Sequence, residues 1–402
     1  MNRHKEENLR NYYQKNMRLF KLFWIFIFII GALTPLFYMN TAKITKQENR
    51  VLSDFPELKK CGKININYGK EFDAWLGDRF WGRDQLIRGY FRTISRINGW
   101  IENRRAFVGD NGWMFEKSKT VNRPSIEKQR EKIERDAEIL KAFADKLHKK
   151  NIPIYFILIP EREVLYQKYW EQYYVPKPYL DYGEEITRLL KDSFITVVNP
   201  KAEMLKAMTT ENIYYQGSDH LSCASGFRIF LNKIHTVLKQ KELPYLSQEP
   251  VPILKENQKF YVANIAAQLG FPSRVKQTGK SCGLAYINSR YQEKESKSYI
   301  EKQKTLWVPE QIIYRKGEVK DPLVDKTLVS IGPCYSEGVF DLFKSLYRYS
   351  IWIRINIDVY GRQAEEYNIS KIKELFDLKP NSAIVILTQD NDFKLISEAI
   401  KE

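Results

Sequence analysis

The sequence predicts an α/β domain, a parallel sheet with helices on both faces, preceded by one N-terminal transmembrane helix. Two observations carry this expectation. Beyond residue 150, short apolar runs rich in β-branched and aromatic residues alternate with stretches whose apolar residues recur every three or four positions. Near the N-terminus, Leu22 to Met39 form an uncharged run of 18 residues. The mean hydropathy of −0.48 excludes a protein with many spans.

At a rise of about 1.5 Å per residue, that run can cross a hydrocarbon core of roughly 30 Å. Pro35 near its end is tolerable in a lipid-embedded helix. Residues 1–21 carry Arg3, Lys5, Arg10, Lys15, Arg18 and Lys21 against Glu6 and Glu7. The positive-inside rule therefore keeps 1–21 as a cytoplasmic tail and sends the rest of the chain outward, into a periplasm or extracellular space. The run is long for the core of a cleaved signal peptide, and no A-x-A site follows it. Residues 22–39 are thus expected to anchor the chain in the cell membrane.

Lys and Arg total 65 against 49 Asp and Glu, a net charge of +16. Such a surplus favours polyanionic neighbours, such as lipid headgroups or an acidic wall polymer. The outward topology, and the lack of a basic run resembling a DNA-reading helix, exclude nucleic acid. The four cysteines, Cys61, Cys223, Cys282 and Cys334, are too few and too scattered for a disulfide framework or a CxxC metal site. With four histidines, a His-rich metal centre is not expected either, and no cofactor motif stands out.

Residues 40–120 read as a mostly helical lead-in with aromatic anchors, and 121–402 as the α/β domain. Ile133, Ala137, Leu140, Phe143 and Leu147 place a helix over 126–150, stopped by Asn151 and Pro153. Strands follow at 152–159, 194–198, 327–332, 351–357 and 382–388. Helices are expected at 183–191, 224–239, 337–348, 369–378 and the C-terminus. Repeated βα units imply a parallel sheet covered on both sides. An insertion at about 245–325 breaks this rhythm and reads as irregular or antiparallel β.

In such a sheet, chemistry gathers where strands end and helices begin. The turn after the strand 327–332 places Cys334 at a helix N-terminus, a setting that favours thiolate and offers free N–H groups to an oxyanion. The bland alternative is a small residue buried in a tight turn. The second setting is the loop Tyr214 to Ser222, where His220 stands beside Asp219. A general base needs a carboxylate to hold its tautomer. Its bland alternative is a helix cap by Ser222 with His220 merely solvated.

Several motifs, in order, resemble a known family. Glu48-Asn49-Arg50, Phe55-Pro56, Asp78-Arg79-Phe80 and Arg83 resemble an ENR…P…DxFxxR lead-in, and Gly109 to Phe115 is similar to G-x-[DN]-G-W-L-F. Ile159-Pro160 with Tyr166 resembles a P-x-K…Y segment. Tyr214–Ser222 stands where the family has Y…D-x-H-W, and Ile331–Ser336 where it has I-G-D-S-F-S. The chain therefore resembles the AlgX/AlgJ-like, SGNH-hydrolase-like polysaccharide O-acetyltransferases. The resemblance implies an SGNH-hydrolase-like (flavodoxin-like) sheet and an acyl-enzyme passing acetyl to a sugar hydroxyl of an exported polysaccharide or wall polymer. It also implies a multi-span membrane O-acyltransferase partner as donor. On this pattern Cys334, His220, Asp219 and Ser218 are the catalytic positions; Arg354 and Arg362, which the motif match does not reach, and Ser336 are candidates for oxyanion or substrate contacts.

The sequence departs from the family at both catalytic motifs. Cys334 occupies the serine position and Pro333 that of the preceding aspartate; Ser218 stands where the family has its triad aspartate, and Leu221 replaces the Trp after His220. Neighbouring side chains on an extended loop point apart, so Asp219 is expected to miss His220. Ser336 is a fallback nucleophile. An acyltransferase using Cys334, a catalytically degenerate polymer-binding scaffold and a carbohydrate esterase all remain open at this point. Trp75, Trp81, Trp113 and Trp170 are read either as sugar-stacking or as core residues.

Overall fold

The computed structural model describes residues 17, 20–30, 39, 44–45, 50–60, 62–80, single positions between 82 and 93, 101–255, 261–262, 265, 269, 274–275, 281–286, 290–299, 311–355, 362–389 and 393–401. The chain divides into two compact units: residues 1–97 with 304–307, and 98–303 with 308–402.

The larger unit opens with a hairpin of β1 (Ala106–Val108) and β2 (Met114–Glu116), closed by the Asp110–Gly112 turn, in which Asn111 has φ 53°. Then follows α1 (Ile126–His148), capped by Ser125, whose hydroxyl accepts from the Lys128 amide at 3.5 Å. The helix buries Ile133, Ala137, Leu140, Phe143, Ala144 and Leu147 along one stripe. Asn151, at φ 53°, and Pro153 turn the chain into β3 (Ile154–Ile157).

Next come α2 (Tyr182–Leu189), β4 (Ile195–Val198), α3 (Lys201–Ala207) and α4 (Arg228–Lys241). The insertion supplies β5 (Tyr291–Tyr299) and β6 (Gln311–Val319). The chain then runs through β7 (Val324–Gly332), α5 (Cys334–Phe343), β8 (Tyr347–Arg354), α6 (Arg362–Glu374), β9 (Ala383–Thr388) and α7 (Lys394–Ile400).

These strands form one seven-stranded sheet in the order β5-β6-β8-β7-β9-β3-β4. From β8 to β4 every pairing is parallel; β5 and β6 extend the β8 edge antiparallel. Strand alternation explains the uninterrupted apolar runs. Ile154, Phe156, Val385 and Leu387 face one core with α1, whereas Tyr155, Ile157, Ile384 and Ile386 face the other with Phe230, Ile234 and Phe343. Each such side chain contributes about 1.5–3 kcal/mol on burial.

α5 begins at Cys334, three residues before the expected start, because a helix tolerates the Pro333–Cys334 pair at its entry. α3 was not expected; at 7 residues it is too short to show a period. Trp113 and Trp170 are core residues. Trp81 lies outside the described residues.

In the smaller unit the helix Tyr68–Arg79 carries the DxFxxR-like residues. The Asp78 carboxylate accepts from the Ser53 amide and hydroxyl at 2.8 and 3.0 Å, and Arg79 donates to the Ser53 carbonyl. Phe55 meets Trp75 edge-on at 4.8 Å. The stretch 40–120, read as mostly helical, holds this helix together with short strand pairs, including the β1–β2 hairpin. Of the expected anchor, residues 22–30 are helical and exposed, and residues 31–38 lie outside the described residues. Among the described residues no helix is long and apolar enough to cross a membrane.

Candidate active site

The turn that carries Cys334 sits at the carboxyl end of β7. Gly332 has φ +155°, which side-chain-bearing residues rarely adopt, and a Cβ there would lie 2.8 Å from that of Thr388. Glycine at this position lets the chain turn sharply from strand into helix. Pro333 then lacks an N–H, which costs nothing at a helix start, and α5 begins with Cys334, exposed and free. The first amides of a helix have no intrahelical acceptor. Those of Cys334 and Tyr335 belong to this first turn.

The histidine loop is held by a set of buried contacts. Tyr214 and Leu221 bridge as antiparallel residues, and the Tyr215 amide donates to the His220 carbonyl. Arg162, 2% exposed, donates to the carbonyls of Ser218 (2.5 Å) and Met114 (2.6 Å) and pairs with Glu163 at 3.1 Å. The Met114 amide in turn donates to the Gln216 carbonyl. The Tyr166 hydroxyl accepts from the Ile213 amide while its ring stacks on Trp113 at 4.0 Å. Tyr214 donates to the Pro160 carbonyl. Ser222 accepts from the Gly226 amide at 3.2 Å, so it does cap the following helical turn. There the glycine is required, because a Cβ would strike the Ile213 carbonyl at 2.1 Å.

The two loops meet. His220 Nε2 lies 4.0 Å from Cys334 Sγ. On the other side of the ring, Nδ1 lies 2.8 Å from Asp219 Oδ1 and 3.0 Å from Ser218 Oγ. The expectation that Asp219 misses His220 is overturned. The loop curls at Ser218, whose hydroxyl also accepts from the His220 amide at 3.3 Å, so the two neighbouring side chains converge. The Tyr335 hydroxyl joins the loops, accepting from the Leu221 amide at 2.9 Å and donating to the Asp219 carbonyl at 3.4 Å. Burial pushes that phenol's pKa well up, so it stays a hydroxyl.

Burial also opposes charge on His220, but Asp219 and the Cys334 sulfur outweigh it and raise its pKa to about 10. A sulfur–imidazole pair oriented by a carboxylate beside helix amides is the arrangement acyl transfer needs.

Not every expected residue joins the site. Ser336 is fully buried: its hydroxyl donates to the Pro333 carbonyl at 2.6 Å and accepts from Trp352 Nε1 at 2.8 Å. It braces the turn and is shielded from solvent. Arg354 ends β8 opposite Gly332, with Nε buried and without a hydrogen-bond partner among the described residues. Arg362 opens α6, and its side chain lies outside the described residues. Tyr335, Arg162 and Lys119 were missed. Arg162 alone had a signal, standing at the lysine position of the P-x-K…Y segment. Among the described residues no cluster of His, Cys, Asp and Glu is placed to hold a metal ion. A cavity of about 20 Å³ near the ends of β3 and β4, lined by Glu161, Asp181, Asn199 and Lys201, has room for little more than a water.

Residues 106–251 match the family described as an SGNH hydrolase-like domain, acetyltransferase AlgX. That stretch contains the hairpin and the histidine loop and ends before the Cys334 turn. No curated protein matches the chain. Similar solved structures include Bacillus cereus PatB1 with a sulfonyl adduct, at 9% identity and TM-score 0.48 over 74% of this chain and 98% of that one. The O-acetyltransferase domain of Pseudomonas putida AlgJ is 10% identical with TM-score 0.41, over 74% and 98%. A DHHW family protein from Eubacterium siraeum is 14% identical with TM-score 0.42, over 75% and 96%. From the β1–β2 hairpin through the histidine loop, the chain is similar to the SGNH hydrolase-like domain of AlgX-type acetyltransferases.

Proposed function

We propose that this chain is a membrane-anchored O-acetyltransferase that acts outside the cytoplasm on an exported polysaccharide or wall polymer, with Cys334 as nucleophile and His220 as acid and base. The observation that carries the reading is the 4.0 Å approach of Cys334 Sγ to His220 Nε2, with Asp219 on the opposite ring nitrogen. The family matched by residues 106–251 supports acetyl transfer. The uncharged run 22–39 with its basic flank supports the anchor.

The chemistry needs no cofactor. The Cys334 thiolate attacks the acetyl carbonyl of the donor, and the oxyanion forms against the Cys334 and Tyr335 amides. The leaving group departs with the proton from the His220 imidazolium, leaving a thioester and a neutral ring. A sugar hydroxyl then gives its proton to Nε2 and attacks the thioester, and the thiolate returns to pair with the imidazolium. A multi-span O-acyltransferase that brings acetyl across the bilayer is the partner this scheme calls for.

Mass spectrometry of the full-length chain in detergent, after brief exposure to an activated acetyl ester, tests the reading. The expected result is an adduct of about 42 Da, one acetyl group, absent from Cys334→Ala and formed about 10²–10⁴-fold more slowly by His220→Gln. Addition of an oligosaccharide acceptor should discharge it with acetylation of the sugar. Discharge to free acetate at the same rate without acceptor would mean an esterase. No adduct on the wild-type chain would leave a polymer-binding scaffold.

A further inference from the structure

We infer that Lys119 is a positioning residue of this site, its ammonium holding the outer oxygen of Asp219 so that the inner oxygen faces His220. The inference rests on the reading of His220 as acid and base, but its test reads the ring itself.

Adjacent side chains tend to point apart, so the Asp219–His220 contact needs a cause outside the pair. Lys119 supplies one. It ends the 3-10 turn Lys117–Lys119, just beyond the β1–β2 hairpin, and its Nζ lies 3.9 Å from Asp219 Oδ2 while Oδ1 sits 2.8 Å from His220 Nδ1. The carboxylate is thereby engaged on both oxygens. Nζ is itself placed by Glu116 Oε2 at 3.2 Å. Burial works against the ammonium, but Glu163, Glu116 and Asp219 outweigh it and hold its pKa above the usual lysine value. Among the described residues, Ser218 on Nδ1, Cys334 on Nε2, and Tyr335 against the ring and the Asp219 carbonyl also face the pair. Glu161 also feels the Lys119 charge. Lys119 is a cation beside the outer oxygen.

Two effects of Lys119 on His220 have opposite signs. As a nearby cation it repels the imidazolium, so its removal alone would raise the ring's pKa. As the clamp on Asp219 it maintains the contact that raises that pKa, so its removal would lower it.

The experiment follows the ring signals of histidine-labelled, full-length chain in detergent from about pH 6 to about pH 11, a window that spans the ordinary and the raised imidazole values. With four histidines in the chain, His220 is assigned by its loss in His220→Gln. The midpoint is expected to fall by roughly one unit in Lys119→Met and in Lys119→Gln, and to stay within roughly 0.3 unit in Lys119→Arg. Added to Asp219→Asn, Lys119→Met should give no further fall. A midpoint that rises or stays put in both Lys119→Met and Lys119→Gln overturns the inference, as does an undiminished fall in the double variant. Absence of an acetyl adduct would sink the catalytic reading and leave this titration result standing.

Discussion

Among the described residues Asp219 and Ser218 approach one ring nitrogen of His220 and Cys334 the other, and these contacts bear on how the fold responds to pH. The ring's pKa rises from 6.5 to about 10 in the folded protein, against the effect of burial, through Asp219 and Cys334. A group whose folded pKa lies above its unfolded one stabilises the fold fully below the unfolded value. That contribution is lost as pH rises through the folded value. The denaturant midpoint of wild type should therefore exceed that of His220→Gln by a constant margin below about pH 6.5, where both states bind the proton. The margin should shrink towards pH 10. Urea unfolding at stepped pH measures it, and a margin that grows with pH would refute the assignment of the Asp219 contact. The neighbouring turn shows why residue type alone misleads. Cys334 and Ser336 lie two positions apart, yet one is exposed at the helix start while the other has both its donor and an acceptor site engaged by Pro333 and Trp352.

The elements around the histidine loop explain why motifs distant in sequence accompany His220. The β1–β2 hairpin, the strand-end segment at Pro160–Tyr166 and the loop itself exchange hydrogen bonds, and Arg162 stands at their junction with carbonyls from two of them. Removing one member of a buried ion pair typically costs about 3–5 kcal/mol. Arg162→Met should lower stability by about that much and abolish the acetyl adduct. Arg348→Ala, which breaks an exposed pair with Asp325, should cost under about 1 kcal/mol. Thermal melts and the adduct assay separate the two. Much of this framework was legible in the sequence: the core strands announce themselves because each buries both faces, and Cys334 and His220 stand out at a strand end and a loop. The edge strand β5 does not, since Tyr291–Tyr299 is mostly polar and its place is set by pairing with β6 rather than by apolar pattern. The Asp219–His220 contact was illegible for a different reason. It depends on the loop curling at Ser218 and on Lys119, about a hundred residues earlier, and neither leaves a trace in local spacing.

The chain's net charge of +16 and the run 22–39 offer two ways of holding the molecule at a membrane, and they respond differently to salt. Attraction of a basic surface to anionic lipid falls off within a Debye length, about 10 Å at 0.1 M salt and about 3 Å at 1 M. A membrane-spanning apolar helix is indifferent to ionic strength, since its stabilisation comes from removing side chains from water. If residues 22–39 span the bilayer, the full-length chain should stay in the membrane pellet after washes at high salt and at alkaline pH, and only detergent should release it. Deletion of residues 1–39 should move the α/β domain to the soluble fraction at high salt, with any residual binding at low salt reporting the surface charge alone. Protease added from outside intact cells should digest the α/β domain and spare an epitope placed in residues 1–21, because the basic flank keeps that tail on the cytoplasmic side. Release of the full-length chain by salt alone would show that charge, not the N-terminal run, holds the protein, and the proposed meeting with a donor embedded in the bilayer would then lose its physical basis.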